Sequence, residues 1–133
     1  MSDFVDSSVI VEAFDQDGLA HARCFALLNR PGRATASHCL AEVFSALTGK
    51  RHFQPSDAHL IISQVAEEAK LIDLRSREIL AVIKSAQARG IRGALLYDSL
   101  IARAAKLANA STTWTLNKGH FDIVSEGAAV KIP

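Results

Sequence analysis

Proline and cysteine are scarce in this chain, and neither sign of charge dominates: 133 residues carry three prolines, two cysteines, 15 basic and 14 acidic side chains. Each shortage excludes something. No Pro-, Gly- or Ser-rich stretch parts the chain, and 133 residues fit one domain, expected to span 1–133. Cys24 and Cys39 stand apart among Ala, Leu, Phe and His, in no C-x-x-C pair. They give no disulfide framework and no metal-ligand spacing, so a zinc site built on them is not expected; buried free thiols are. No apolar run approaches the roughly 20 residues of a membrane span. Met1-Ser2-Asp3-Phe4 lacks the basic start and apolar core of a signal peptide. No membrane partner and a cytoplasmic location are therefore expected.

The net charge of +1 attracts no polyanion globally, so a nucleic-acid partner needs a local basic cluster or a bound cation. One Trp, one Tyr and six Phe leave few rings for base stacking, which favours recognition of RNA shape over base reading. Neither G-x-x-x-x-G-K-[S/T] nor G-x-G-x-x-G occurs, against nucleotide binding. A phosphoacceptor domain wants an acidic pair at the end of its first strand, and Asp3 and Asp6 are too far apart along a strand for that.

What is present is an ordinary globular mixture, 49% hydrophobic and 22% charged. Phe4-Val5 reads as a short strand running into Asp6-Ser7-Ser8, a helix start, with Val9, Ile10, Ala13 and Phe14 at helical spacing. A helix over Leu19–Asn29 ends at Arg30-Pro31-Gly32, and Arg33–Ala36 reads as a strand. Ser37 suits an N-cap for a helix with Leu40, Val43, Phe44 and Leu47 on one face and Gly49 at its end. Gln54-Pro55-Ser56 opens a helix to about Ala69, followed by a strand at Leu71–Leu74. Ser76 opens another with Ile79, Leu80, Ile83 and Ala86 on one side, stopped near Gly90. Leu95–Asn109 is helical through Leu96, Leu100, Ala104 and Leu107. Thr112–Thr115 is β-prone, Asp122–Val124 and Val130–Ile132 more weakly so. Strands alternating with helices predict an α/β fold with a mainly parallel sheet. Ligands in such folds gather beyond the carboxyl ends of the strands, which directs attention to Asp6 and to the segment after Thr115.

Three carboxylates are embedded in otherwise apolar stretches: Asp6, Glu42 and Asp98. A carboxylate beside a packed face is costly without a partner, and a divalent cation is one such partner. Taken singly, each has a plainer reading. Asp6 suits a helix cap, Asp98 a favourable charge at a helix N-terminus, and Glu42 the solvated flank of an amphipathic helix.

Their surroundings, taken in order, resemble the PIN-domain family, and within it the VapC-type toxins of toxin–antitoxin pairs. Phe4-Val5-Asp6-Ser7-Ser8-Val9-Ile10-Val11 resembles the family's opening strand, D-x-S and apolar helix. Cys39-Leu40-Ala41-Glu42-Val43 resembles its second motif, and Tyr97-Asp98-Ser99-Leu100-Ile101-Ala102 the helix with the third acid. Thr115-Leu116-Asn117-Lys118-Gly119-His120-Phe121 is similar to the late T-x-[N/D]-x-x-x-F segment. Four motifs in order span nearly the whole chain.

The resemblance implies a three-layer α/β/α PIN-like sandwich and a metal-dependent endoribonuclease. Its site would comprise Asp6, Glu42, Asp98 and Asn117, with Asp6 and Asp98 foremost in holding Mg²⁺ or Mn²⁺. It also implies an RNA substrate, a VapB-like antitoxin and a homodimer, with apolar surface at Leu60–Ala69 or Leu19–Leu28 available for contacts. The chain departs from the pattern where many members carry a fourth acid: it has Asn117 and His120. Asn117 can reach a phosphate oxygen but adds no charge, and His120 offers a phosphate contact or a proton-transfer group, roles open to imidazoles in general. The hydroxyl of Thr115 either supports the acidic site or is simply β-branched strand material. Lys50-Arg51 and Lys118 are the better candidates for phosphate contacts among scattered basic residues. The competing reading is a PIN fold without chemistry that serves as an RNA- or protein-binding module.

Overall fold

Adjacent residues Phe4 and Val5 are both fully buried, yet they pack into different clusters. Side chains alternate across a strand, so a strand apolar at consecutive positions must be covered on both faces. The computed structural model, which describes residues 2–133, has that arrangement. Its elements in chain order are β1 (Asp3–Val5), α1 (Ser7–Ala13), α2 (His21–Leu28), β2 (Arg33–Ala36), α3 (Ser37–Thr48) and α4 (Pro55–Glu68). They continue with β3 (Lys70–Ile72), α5 (Ser76–Arg89), α6 (Leu95–Leu107), β4 (Thr112–Trp114), α7 (Lys118–Val124) and β5 (Ala129–Lys131).

The strands form one sheet in the order β3-β2-β1-β4-β5, and every neighbouring pair is parallel. One face is covered by a cluster including Val9, Ile10, Cys24, Leu27, Val43, Leu47 and Val65, from α1 to α4. The other carries Phe4, Ala34, Cys39, Ile101, Ala105, Phe121 and Val124, with α6 and α7. This is a three-layer α/β/α sandwich. Helix α3 serves both layers, with Cys39 on one side and Val43 and Leu47 on the other. Because chain direction reverses its lateral progress between β1 and β4, the carboxyl ends of those two central strands border a crevice.

Several local expectations need correction. Asp122–Val124 is the end of helix α7, not a strand: Phe121 and Val124, three apart, both turn into the core, and Lys118 pairs with Asp122 at 2.9 Å across one turn. Ser37 is the first residue of α3 rather than its cap; Ala36 holds that position, and the Ser37 hydroxyl donates to Asp73. In α5 the buried face is rotated by one position. Val82 is fully buried while Leu80 and Ile83 are exposed. On that rotated face Glu78 meets Arg103 at 2.8 Å, and Arg103 also reaches Glu126 at 3.1 Å, so it is not a solvated surface charge. Gly90, with φ of 67°, closes α5 in the left-handed conformation that favours glycine. Among the described residues no helix is long and apolar enough to cross a membrane.

Candidate active site

Strand β1 is three residues long and is followed directly by Asp6, whose N–H donates to Trp114 O of β4 at 3.0 Å. The carboxylate of Asp6 therefore emerges in the crevice between the two central strands. It occupies the N-cap position of α1 but makes no side-chain capping bond, so the simple capping role is not what it performs. Instead it is held by three hydroxyls. Thr115 Oγ1 and Ser8 Oγ donate to Oδ2 at 2.9 and 2.8 Å, and Ser7 Oγ donates to Oδ1 at 3.3 Å. Asp6 is only 2% exposed.

The hydroxyls are themselves oriented. Leu116 N–H donates to Ser8 Oγ at 3.0 Å, and Asn117 N–H donates to Thr115 Oγ1 at 2.9 Å. A hydroxyl has one proton, and occupying its lone pairs with backbone donors leaves that proton for Asp6. Of the two readings of Thr115, the supporting hydroxyl is the one realised, and Ser8 shares the task. The D-x-S spacing was the available signal for Ser8.

Glu42, on the second turn of α3, and Asp98, in the first turn of α6, approach the same crevice. Burial raises the pKa of Glu42 above the ordinary carboxylate range; the Asp6 charge adds to this and Asp98 adds further, while the Ser7 hydroxyl offsets part. Burial and then Asp6 likewise raise Asp98, against the His120 ring, which lowers it. Glu42 Oε1 is buried with no hydrogen-bond partner. Glu42 is therefore not on a solvated flank. Burial and the Asp6 charge act on Glu42 and Asp98 alike, and Glu42 carries an orphaned carboxylate oxygen; these three carboxylates fit an all-oxygen donor set for a hard divalent cation.

The late motif divides its residues. His120 is exposed, and its Nδ1 lies 3.1 Å from Asp98 Oδ2. Asn117 is exposed at the N-cap of α7, makes no side-chain capping bond, and borders a cleft with Ser7, Ser8, Glu42 and Lys50. That cleft has a volume of about 390 Å³.

Two of the basic candidates are already paired with acids, Arg51 while bordering the same cleft. Arg51 lies 2.9 Å from Glu12 and 2.5 Å from Asp15, and Lys118 is paired with Asp122. Lys50 remains exposed at the cleft, without an acidic partner among the described residues. Sequence reasoning missed Glu12, buried to 7% exposure, which also accepts the Ala20 N–H at 3.0 Å. Its partners lie 8 and 39 residues away, beyond any local pattern.

Cys24 and Cys39 are buried and unpaired, as expected. Burial pushes their thiols up to about 11 and about 12 respectively, which makes both poor nucleophiles. His38, half-buried beside Cys39, is shifted the other way, its imidazole favoured neutral by burial.

The chain belongs to the PIN-domain family, whose model matches residues 4–126. No curated protein sequence matches it significantly. Solved structures of similar fold include VapBC2 from Rickettsia felis bound to a DNA fragment from its promoter, at a TM-score of 0.70 and 18% identity, covering 100% of this chain and 99% of that one. VapBC-1 from nontypeable Haemophilus influenzae has a TM-score of 0.66 and 15% identity, covering 99% and 98%. FitAcB from Neisseria gonorrhoeae has a TM-score of 0.65 and 22% identity, covering 96% and 95%.

Proposed function

We propose that this chain is a Mg²⁺- or Mn²⁺-dependent endoribonuclease, the toxin of a toxin–antitoxin pair, built as one PIN-like domain over residues 1–133. The observation that carries this is the crevice where Asp6 is fully hydrogen-bonded while Glu42 and Asp98 are raised by burial and by Asp6. Such acids need a counter-charge, and the protein supplies little: among the described residues only the exposed His120 ring lies against Asp98.

Asp6, Glu42 and Asp98 would hold the ion, Asp6 and Asp98 foremost. When bound, it supplies charge neutralisation at the scissile phosphodiester and acidifies an attacking water. The chain's own groups do the rest. Ser8 and Thr115 fix the Asp6 carboxylate, so it need not reorganise as charge develops on the phosphate. Lys50 offers a cation and Asn117 an amide donor to backbone phosphates entering the cleft. The His120 ring, 3.1 Å from Asp98, favours the ionised form of that carboxylate, and its exposed position suits a contact to the substrate backbone.

The fold relatives crystallised as VapBC and FitAB complexes favour a small antitoxin partner, and a homodimer in the cytoplasm completes the reading. Exposed apolar side chains at Leu19, Phe25 and Leu60 are available for such contacts.

The test is cleavage of a mixed pool of structured RNAs by the purified protein with Mg²⁺, with Mn²⁺ and with chelator, alongside Asp6→Asn and Asp98→Asn. Metal-dependent cutting that both substitutions abolish supports the proposal. Cutting that survives both marks a contaminant and overturns the site assignment. No cutting under any condition, with intact binding of RNA, favours the binding-module reading, to which Asn117 and His120 in place of a fourth acid would then belong.

A further inference from the structure

Three buried side-chain polar atoms lack a hydrogen-bond partner among the described residues: Arg33 Nε, His38 Nε2 and Glu42 Oε1. The residues that carry two of the three meet in one place. His38 and Glu42 are four apart on α3 and share a face, and Cys39 follows His38 directly. One ligand atom from each of His38, Cys39 and Glu42 lies within 4.8 Å of the other two. Orphaned polar atoms are rare in folded proteins, and two beside a thiol call for a common partner. His38 also borders a cleft of about 300 Å³ together with Asp73, Tyr97 and Leu100.

We infer that His38, Cys39 and Glu42 form a binding site for a thiophilic divalent cation such as Zn²⁺, sharing Glu42 with the acidic crevice. The donor set is one nitrogen, one sulfur and one oxygen, which suits zinc with a fourth position open to water. Magnesium has no preference for sulfur, so the two ions are sorted by ligand softness. Cys39 enters the bond as a thiolate and its proton passes to solvent. Thiolate and carboxylate then balance the dication, and a half-buried site of zero net charge escapes most of the cost of desolvating an ion. The two cysteines do not share this site, so their wide sequence spacing is irrelevant to it. A cation held here draws on Glu42, and so competes with a hard ion bound between Asp6, Glu42 and Asp98.

The experiment uses Co²⁺ alone as a spectroscopic stand-in for Zn²⁺, added to the metal-free full chain. The expected result is a thiolate-to-cobalt charge-transfer band that saturates at one ion per chain and is bleached by Zn²⁺. Cys39→Ser loses the band, His38→Gln weakens Co²⁺ binding by about tenfold or more, and Cys24→Ser leaves both unchanged. Circular dichroism checks that each variant is folded. Absence of the band in the folded wild type overturns the inference, as does a band that survives Cys39→Ser or vanishes only in Cys24→Ser. No RNA is involved, so this outcome and the outcome of the ribonuclease test are independent.

Discussion

Two carboxylate clusters flank α1, and they solve the same electrostatic problem differently. At one end Glu12 and Asp15 receive Arg51, at 2.9 and 2.5 Å, and Glu12 also accepts a backbone N–H. Asp15 is accordingly held below the ordinary carboxylate range, first by its bond from Arg51. At the other end Asp6, Glu42 and Asp98 share one crevice, and no Lys or Arg pairs with them among the described residues. The first cluster finds its counter-charge as the chain folds; the second finds none from Lys or Arg among the described residues, which is why we propose that it takes a cation. Buried acids with an internal partner read as architecture, and acids raised by burial and by a neighbouring carboxylate read as a candidate site.

The comparison is broken most severely by removing charge from the second cluster. Asp6→Asn or Asp98→Asn is expected to lower metal-dependent RNA cutting by about 10³-fold, because several kcal/mol of charge stabilisation is lost. Single-turnover cleavage rates check this, and a loss under tenfold would remove either residue from the site.

Next in size is the first cluster. Arg51→Ala leaves Glu12 buried without its counter-charge, at a cost of about 2–4 kcal/mol. A thermal melt should fall by roughly 10 °C. Glu42→Gln should do the opposite, raising the metal-free melt by roughly 2–5 °C while abolishing the rise on adding Mg²⁺.

The pH dependence follows from the same asymmetry. Glu42 and Asp98 bind their protons more tightly in the folded chain than in the unfolded one. Their contribution to stability is complete below the ordinary carboxylate value and is lost as pH rises through the raised one. Metal-free protein should therefore gain melting temperature relative to Glu42→Gln as the buffer goes from neutral to mildly acid, and Mg²⁺ should erase that difference at neutral pH. Differential scanning fluorimetry of both proteins across that range reads it directly.

The smallest effect is expected at His120. His120→Ala removes the ring that lowers Asp98, so the acid limb of the cutting profile should move to higher pH, with a loss under about tenfold at the optimum.

Much of this was legible in the chain before folding. Short apolar strands at Phe4-Val5 and Arg33–Ala36, with helices between them, lead to the parallel sheet. The apolar surroundings of Asp6, Glu42 and Asp98 mark them as unusual charges. What was left open or escaped depends on partners distant in sequence. Thr115, 109 residues from Asp6, carried two readings until the fold brought its hydroxyl to that carboxylate, and the reach of Arg51 to Glu12 across 39 residues went unseen. Helix α7 escaped for a different reason. Ile123 and Val124 favour strands by local propensity, and only the packing of Phe121 and Val124 into one layer decides for helix. Similarly, the periodicity of α5 is consistent with several faces, and the one realised buries Val82 and sets Glu78 against Arg103.

The most direct test of the contrast between the two clusters is Mn²⁺ binding followed by electron paramagnetic resonance, in the wild type, Asp98→Asn and Asp15→Asn. Binding in the wild type and Asp15→Asn that is lost in Asp98→Asn is the result expected if the unpaired acids, and not the Arg51-paired ones, hold the cation. Binding that survives Asp98→Asn, or that disappears with Asp15→Asn in a folded protein, would contradict it.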